Sequence, residues 1–139
     1  MYYVDTSVLA AYYCPEPLSE RVEAYMISHG QPTISNLTEV ELCSAISRKV
    51  REGGMNKKDA GLIITKFISH LNEGFYIKLQ VESQHYRLAR EWIRQFNTNF
   101  RTLDAIHLAV AFSKGLTVIT ADESFAKSAE IFSINVIVP

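Results

Sequence analysis

A chain of 139 residues, 47% hydrophobic and 21% charged, has the length and composition of one globular domain (residues 1–139) with one core. Its formal net charge of −1 excludes a global attraction to nucleic acid or to anionic membranes, so any such contact must be built locally. Two cysteines without zinc-type spacing (Cys14 and Cys43), no apolar run near the ~20 residues of a membrane span, and no signal-peptide pattern before the first strand set the expectation of a reduced, cytoplasmic protein with no membrane partner.

The β-prone run Tyr2-Tyr3-Val4 stops at Asp5, and Ser7–Tyr13 reads as a short helix broken by Pro15 and Pro17. Ser19–His29 reads as a second helix, ended by Gly30, and Pro32–Ser35 as a short strand. A helix follows over Leu37–Glu52, closed by Gly53-Gly54. Another spans Lys57–Glu73, capped by Asn56, with Leu62, Ile63, Phe67 and Leu71 at helical spacing. Phe75–Val81 alternates as a strand does. Ser83 is expected to cap a helix through Phe96, and Thr102 one that ends near Gly115. Leu116–Thr120 and Ile134–Val138 read as strands around a short helix, Glu123–Ile131.

Strands alternate with helices throughout. That pattern predicts an α/β fold: a three-layer α/β/α arrangement with a mainly parallel sheet of four to five strands. Right-handed crossovers place every strand's carboxyl end on one edge, where such sheets bind ligands. Asp5 and Asp122 both follow strands, and they meet at that edge if their strands are neighbours. Either could instead be an N-cap for the helix that follows it.

The segment Thr102–Lys114 is nearly all apolar, which predicts a buried helix, yet it carries Asp104 and, one turn on, His107. A carboxylate there must pair, bind a cation, stay protonated or lie in a first turn that touches solvent. His107 reads as a packed histidine or as one that orients a neighbouring ligand. On the helix after Ser35, Thr38 and Glu41 fit a capping box. Periodicity set by Leu42, Cys43, Ile46 and Val50 turns Glu39, not Glu41, toward the core.

Four segments carry a resemblance: Val4-Asp-Thr-Ser-Val-Leu9, Ser35-Asn-Leu-Thr-Glu-Val-Glu-Leu42, Leu103-Asp-Ala-Ile-His-Leu-Ala109 and Val118-Ile-Thr-Ala-Asp-Glu-Ser-Phe125. Over nearly its full length the chain resembles the PIN domain family, and within it the VapC ribonuclease toxins of toxin–antitoxin modules. The resemblance selects Glu41 over Glu39. It implies four catalytic, metal-binding acids, Asp5, Glu41, Asp104 and Asp122, around one or two Mg²⁺ or Mn²⁺ ions. Oxygen ligands suit those cations, and a convergence of carboxylates requires them. The implied reaction is hydrolysis of RNA phosphodiester bonds to 5′ phosphate and 3′ hydroxyl ends. Thr6, Thr120 and His107 are expected to orient the acids.

An acidic site that takes a polyanion needs basic groups nearby. Arg87, Arg90 and Arg94 at i, i+3, i+7, with Arg101, could track an RNA backbone or form a solvated helix face; Arg48, Lys49 and Arg51 offer a second cluster. Tyr12, Tyr13 and Phe100 could stack on bases or pack. The resemblance further implies structured RNA, transfer RNA among the candidates, a homodimer, and a cognate antitoxin seated against Tyr12, Tyr13, Leu18 and Met26. Two other classes stay open. A non-catalytic RNA-binding domain would keep the fold without the chemistry. A phospho-accepting receiver domain would want an acidic pair after strand one and a lysine after a late strand.

Overall fold

The computed structural model describes residues 1–139 as five short strands and seven helices. In chain order these are β1 (Tyr2–Val4), α1 (Thr6–Tyr13), α2 (Ser19–Ser28), β2 (Pro32–Ser35), α3 (Asn36–Arg51), α4 (Lys57–Asn72), β3 (Ile77–Leu79), α5 (Ser83–Ile93), α6 (Thr102–Ser113), β4 (Thr117–Ile119), α7 (Glu123–Ile131) and β5 (Val136–Ile137). All four strand pairings are parallel, in the order β3-β2-β1-β4-β5. The expected three-layer α/β architecture is therefore present, with β1 at its centre. No helix is long and apolar enough to cross a membrane.

Alternation along β1 sorts the core. Tyr2 and Val4 face one layer with Leu9, Ile34, Leu42, Ile46 and Phe67. Tyr3 faces the other with Trp92, Leu108, Val110, Val118 and Phe125. Each of these large side chains removed from water contributes on the order of 1.5–3 kcal/mol. Ala105 to Ala111 of α6 are all buried, as the apolar run predicts; its alanines let the helix pack closely on α5 and the sheet.

Several boundaries move. The runs expected over Phe75–Val81 and Ile134–Val138 shrink to three and two residues, because only those exchange ladder hydrogen bonds with their neighbours. The caps differ as well. Glu82 and Arg101, not Ser83 and Thr102, are the N-cap residues of α5 and α6. Thr38 does not pair with Glu41 in a capping box; its Oγ1 accepts the Ser35 backbone N–H at 3.2 Å. Phe100 packs against Phe132 at 5.5 Å between ring centroids and against Trp92 at 6.4 Å, so it belongs to a structural aromatic cluster.

The topology also bears on the receiver alternative. Receiver domains of the flavodoxin-like type order their strands 2-1-3-4-5. Here β4, not β3, lies beside β1 on the side away from β2, and β3 lies outside β2. The chain reverses direction across the sheet between β1 and β4. That switch point lies at the carboxyl edge, where open α/β sheets bind ligands.

Candidate active site

Asp5 leaves β1 at the switch point. Its backbone N–H donates to Ile119 O at 3.0 Å, which ties it to the end of β4. It occupies the N-cap position of α1, yet its side chain makes no cap hydrogen bond. Instead Oδ2 accepts from Ser7 Oγ at 2.7 Å and from Thr120 Oγ1 at 3.0 Å, and Oδ1 has no protein partner. A mostly buried carboxylate is thus pinned by one oxygen and presents the other. Ser7 was not singled out in the sequence. Its Oγ also accepts the Ala121 backbone N–H at 3.0 Å, so one hydroxyl joins the β1 and β4 ends. Serine two residues after a strand-end aspartate is the only sequence signal for it.

Asp122 follows β4 and does cap α7, its Oδ1 accepting Phe125 N–H at 3.1 Å. Its own N–H donates to Thr120 Oγ1 at 3.1 Å, and Oδ2 has no protein partner. Capping and site lining use different oxygens, so the two readings of this residue are compatible.

Asp104 lies in the first turn of α6, partly exposed. Its carboxyl is pushed up from 3.8 to about 6, by burial first, then by the charges of Asp5 and Asp122 and more weakly Glu41, against a lowering from His107. Carboxylates from β1, α6, the β4 end and α3 therefore share one electrostatic field.

Glu41 enters from α3. Its Oε1 is the hydrogen-bond partner of His107 Nε2 and accepts from Thr6 Oγ1 at 3.4 Å, while Oε2 has no protein partner. Glu39 points elsewhere and pairs with Lys78 Nζ of β3 at 3.0 Å. The helix-face argument failed because it counted only apolar residues. Thr38 is fully buried with Leu42 and Ile46, which shifts the core stripe and leaves one glutamate on each flank. The flank toward α1 and α6 is Glu41's.

Behind Glu41 lies a polar chain that no local stretch of residues predicts. His107 is buried, and its Nδ1 lies 2.5 Å from the Tyr3 hydroxyl. Tyr3 donates to Ser35 Oγ at 2.9 Å and sits 3.4 Å from Thr38 Oγ1.

Asp5, Asp122 and Glu41 each keep one carboxylate oxygen free of protein partners, and with Asp104 they form an all-oxygen donor set suited to a hard divalent cation. Their mutual repulsion at Asp104 is what a cation would relieve. As the side chains stand, no three His, Cys, Asp or Glu groups are close enough to hold one ion, so binding would draw them together.

The remaining expected residues spread out. Arg87, Arg90, Arg94 and Arg101 are exposed. Arg90 and Arg94 flank a single carboxylate, Glu91, each at 3.4 Å, and line an apolar groove of about 430 Å³ with Tyr86, Ile93 and Phe96. Tyr12 and Met26 line a groove of about 380 Å³ near Gly30 and Phe75, where β2 begins. Tyr13 lines a different one with Met55 and Ile63, and Leu18 packs half-buried on the core. Tyr12 and Tyr13 nevertheless pack edge to face at 5.0 Å between ring centroids, and all four residues adjoin one core cluster.

Comparisons with known proteins fit this geometry. The family model described as the PIN domain matches residues 2–131. No curated protein matches the chain. Among solved structures, FitAcB from Neisseria gonorrhoeae aligns at 21% identity and a TM-score of 0.72, over 99% of this chain and 96% of that one. VapC20 from Mycobacterium tuberculosis, a sarcin-ricin loop cleaving toxin, aligns at 18% and 0.71, over 92% and 95%. VapBC2 from Rickettsia felis, bound to a DNA fragment from its promoter, aligns at 13% and 0.71, over 99% and 97%. At these identities the likeness is one of fold.

Proposed function

This chain belongs to the PIN domain family, and on that premise we propose that it is a Mg²⁺- or Mn²⁺-dependent endoribonuclease, the toxin of a type II toxin–antitoxin pair. The observation that carries the reading is the coupling at Asp104. The carboxyl of Asp104, in the first turn of an apolar helix, is pushed up by burial first and then by the charges of Asp5 and Asp122, with a weaker contribution from Glu41, so acids from four elements meet in one field. A fold has little structural use for four acids in one place; phosphodiester hydrolysis at a divalent cation does.

Asp5, Asp104, Asp122 and Glu41 would hold the cation. When bound it would supply a more acidic water and neutralise charge on the scissile phosphate. The protein's own groups do the rest. Ser7 and Thr120 both hold Oδ2 of Asp5, which leaves Oδ1 free of protein partners. Asp122 is fixed by its capping bond. Glu41 Oε2, which has no protein partner, would ligate the cation or orient the attacking water. The exposed arginines of α5 would bind the substrate backbone. A cognate antitoxin, a homodimeric state and a cytoplasmic site of action complete the proposal; the VapBC and FitAB assemblies among the structural relatives support the antitoxin.

The test is cleavage of total cellular RNA with and without Mg²⁺, with mapping of the ends, alongside Asp5→Asn. Cleavage that needs the metal, leaves 5′ phosphates and disappears in a folded Asp5→Asn protein is the expected result. Metal-independent cleavage, or full activity in the variant, refutes it. RNA binding with no cleavage under any divalent ion would favour the non-catalytic alternative.

A further inference from the structure

The chain Ser35–Tyr3–His107–Glu41 crosses the molecule from the β2 end to the acidic site. Tyr3 is fully buried, and its ring lies 5.7 Å from that of His107. A phenylalanine would fill the same space. The hydroxyl instead meets Ser35 Oγ at 2.9 Å, Thr38 Oγ1 at 3.4 Å and His107 Nδ1 at 2.5 Å. A phenol is protonated at neutral pH, so this hydroxyl is a permanent hydrogen-bonding group. Nδ1 is engaged by Tyr3, and the other ring nitrogen, Nε2, meets Glu41 Oε1. A Glu41 held by one oxygen offers the other.

We propose that Tyr3 is a positioning residue: acting through the His107 ring, its phenol fixes which oxygen of Glu41 is presented to the acid cluster. The proposal rests on the nuclease reading for its consequence, metal affinity, but not for the contact itself. Outer partners of a metal ligand typically change affinity or activity by about 10–100-fold when removed. Tyr3, on β1, stands two positions before Asp5 and belongs to a different layer of the core from its neighbour Tyr2. That neighbour provides the control. Tyr2→Phe also deletes a buried phenol, one that donates to Gly30 O at 3.2 Å, on the opposite sheet face.

The experiment compares the metal-free full chain as wild type, Tyr3→Phe and Tyr2→Phe, with ¹³C-labelled glutamate carboxyls. The Glu41 carboxyl resonance should move in Tyr3→Phe and stay put in Tyr2→Phe. Titration with Mn²⁺ should then give an apparent Kd about tenfold or more weaker for Tyr3→Phe only, with kcat lowered and KM for RNA unchanged. If Tyr3→Phe does not fold, Ser35→Ala removes a hydrogen-bond partner of the phenol and should move the same resonance less far. An unchanged Glu41 resonance in a folded Tyr3→Phe, or in Ser35→Ala where that is the only folded variant, overturns the proposal. A wild type that binds no Mn²⁺ and cuts no RNA would instead sink the nuclease reading, while the Glu41 resonance still decides the role of Tyr3.

Discussion

Asp104→Asn should stabilise the metal-free protein at neutral pH. The carboxyl is raised from 3.8 in a solvated chain to about 6 in the fold, by burial first and then by its acidic neighbours. An acid with a raised folded-state pKa takes up a proton on folding between those two values, so stability falls as pH climbs from about 4 to about 6 and is flat above. At ~1.4 kcal/mol per pH unit the rise sets a ceiling of about 3 kcal/mol. Part of the side chain reaches water, and screening there cuts the figure to about 1–2 kcal/mol. Asparagine has nearly the same shape and no charge, so the variant should be more stable by that amount at pH 7.5. In a domain of this size the gain is about 3–6 °C in Tm. The gap should close on acidification and be nearly gone at pH 4. Urea unfolding in EDTA at pH 7.5, 5.5 and 4 measures it. Mg²⁺ should then stabilise the wild type, by ~2.7 kcal/mol at a hundred times Kd, and the variant much less. A variant that is less stable at pH 7.5, or a gap that ignores pH, would mean that Asp104 is not under the strain inferred here.

Three further outcomes follow from the same geometry. Ser7→Ala removes a hydrogen bond to Asp5 and the acceptor of Ala121 N–H; cleavage should fall about 10–100-fold while stability drops by about 1–2 kcal/mol, read from kinetics and denaturation together. Glu41→Gln should abolish most cleavage, whereas Glu39→Gln loses only a half-exposed pair with Lys78 and should cost under ~1 kcal/mol with activity unchanged; equal loss of activity in both would return the choice to the helix-face argument. Arg90→Ala and Arg94→Ala should each weaken binding of single-stranded RNA and lower the slope of log K against log salt by about 0.7, and an unchanged slope would place these arginines off the substrate path.

The layers, the parallel sheet and the buried α6 were legible because each is written in periodicity: alternation at Tyr2–Val4, and an unbroken apolar run from Ala105 to Ala111. The short strands β3 and β5 were overestimated because an apolar pattern outlasts the ladder that it flanks. Hydrogen bonding, not hydropathy, ends a strand. Caps went astray for a related reason. Ser83 and Thr102 are better capping residues than Glu82 and Arg101, but tertiary placement of the helix start overrode preference. Of the acids, Asp5, Asp104 and Asp122 could be read from their place at strand ends and in an otherwise apolar helix. Glu41 could not, since choosing it meant knowing that a threonine fills the core position beside Leu42.

What no single stretch could reveal is the support behind the acids, and the reason is topological. Ser7 and Thr120 are 113 residues apart yet 3.4 Å from each other. Tyr3 and His107 are 104 residues apart and share a hydrogen bond. Both pairs exist because β1 runs through the middle of the sheet, with β4 on one side and α6 over one face. A central strand of three residues thus sends Tyr3 into the helical layer to brace His107, and delivers Asp5 to the edge, where Ser7 and Thr120 brace it. Two acids from distant parts of the chain are held by separate braces that depend on the same strand. Any shift in the register of β1 would therefore misplace both at once. A one-residue slip would exchange the faces of Tyr2 and Tyr3 and put Val4 or Thr6 where Asp5 stands. The acidic site and the centre of the fold are in this sense a single construction.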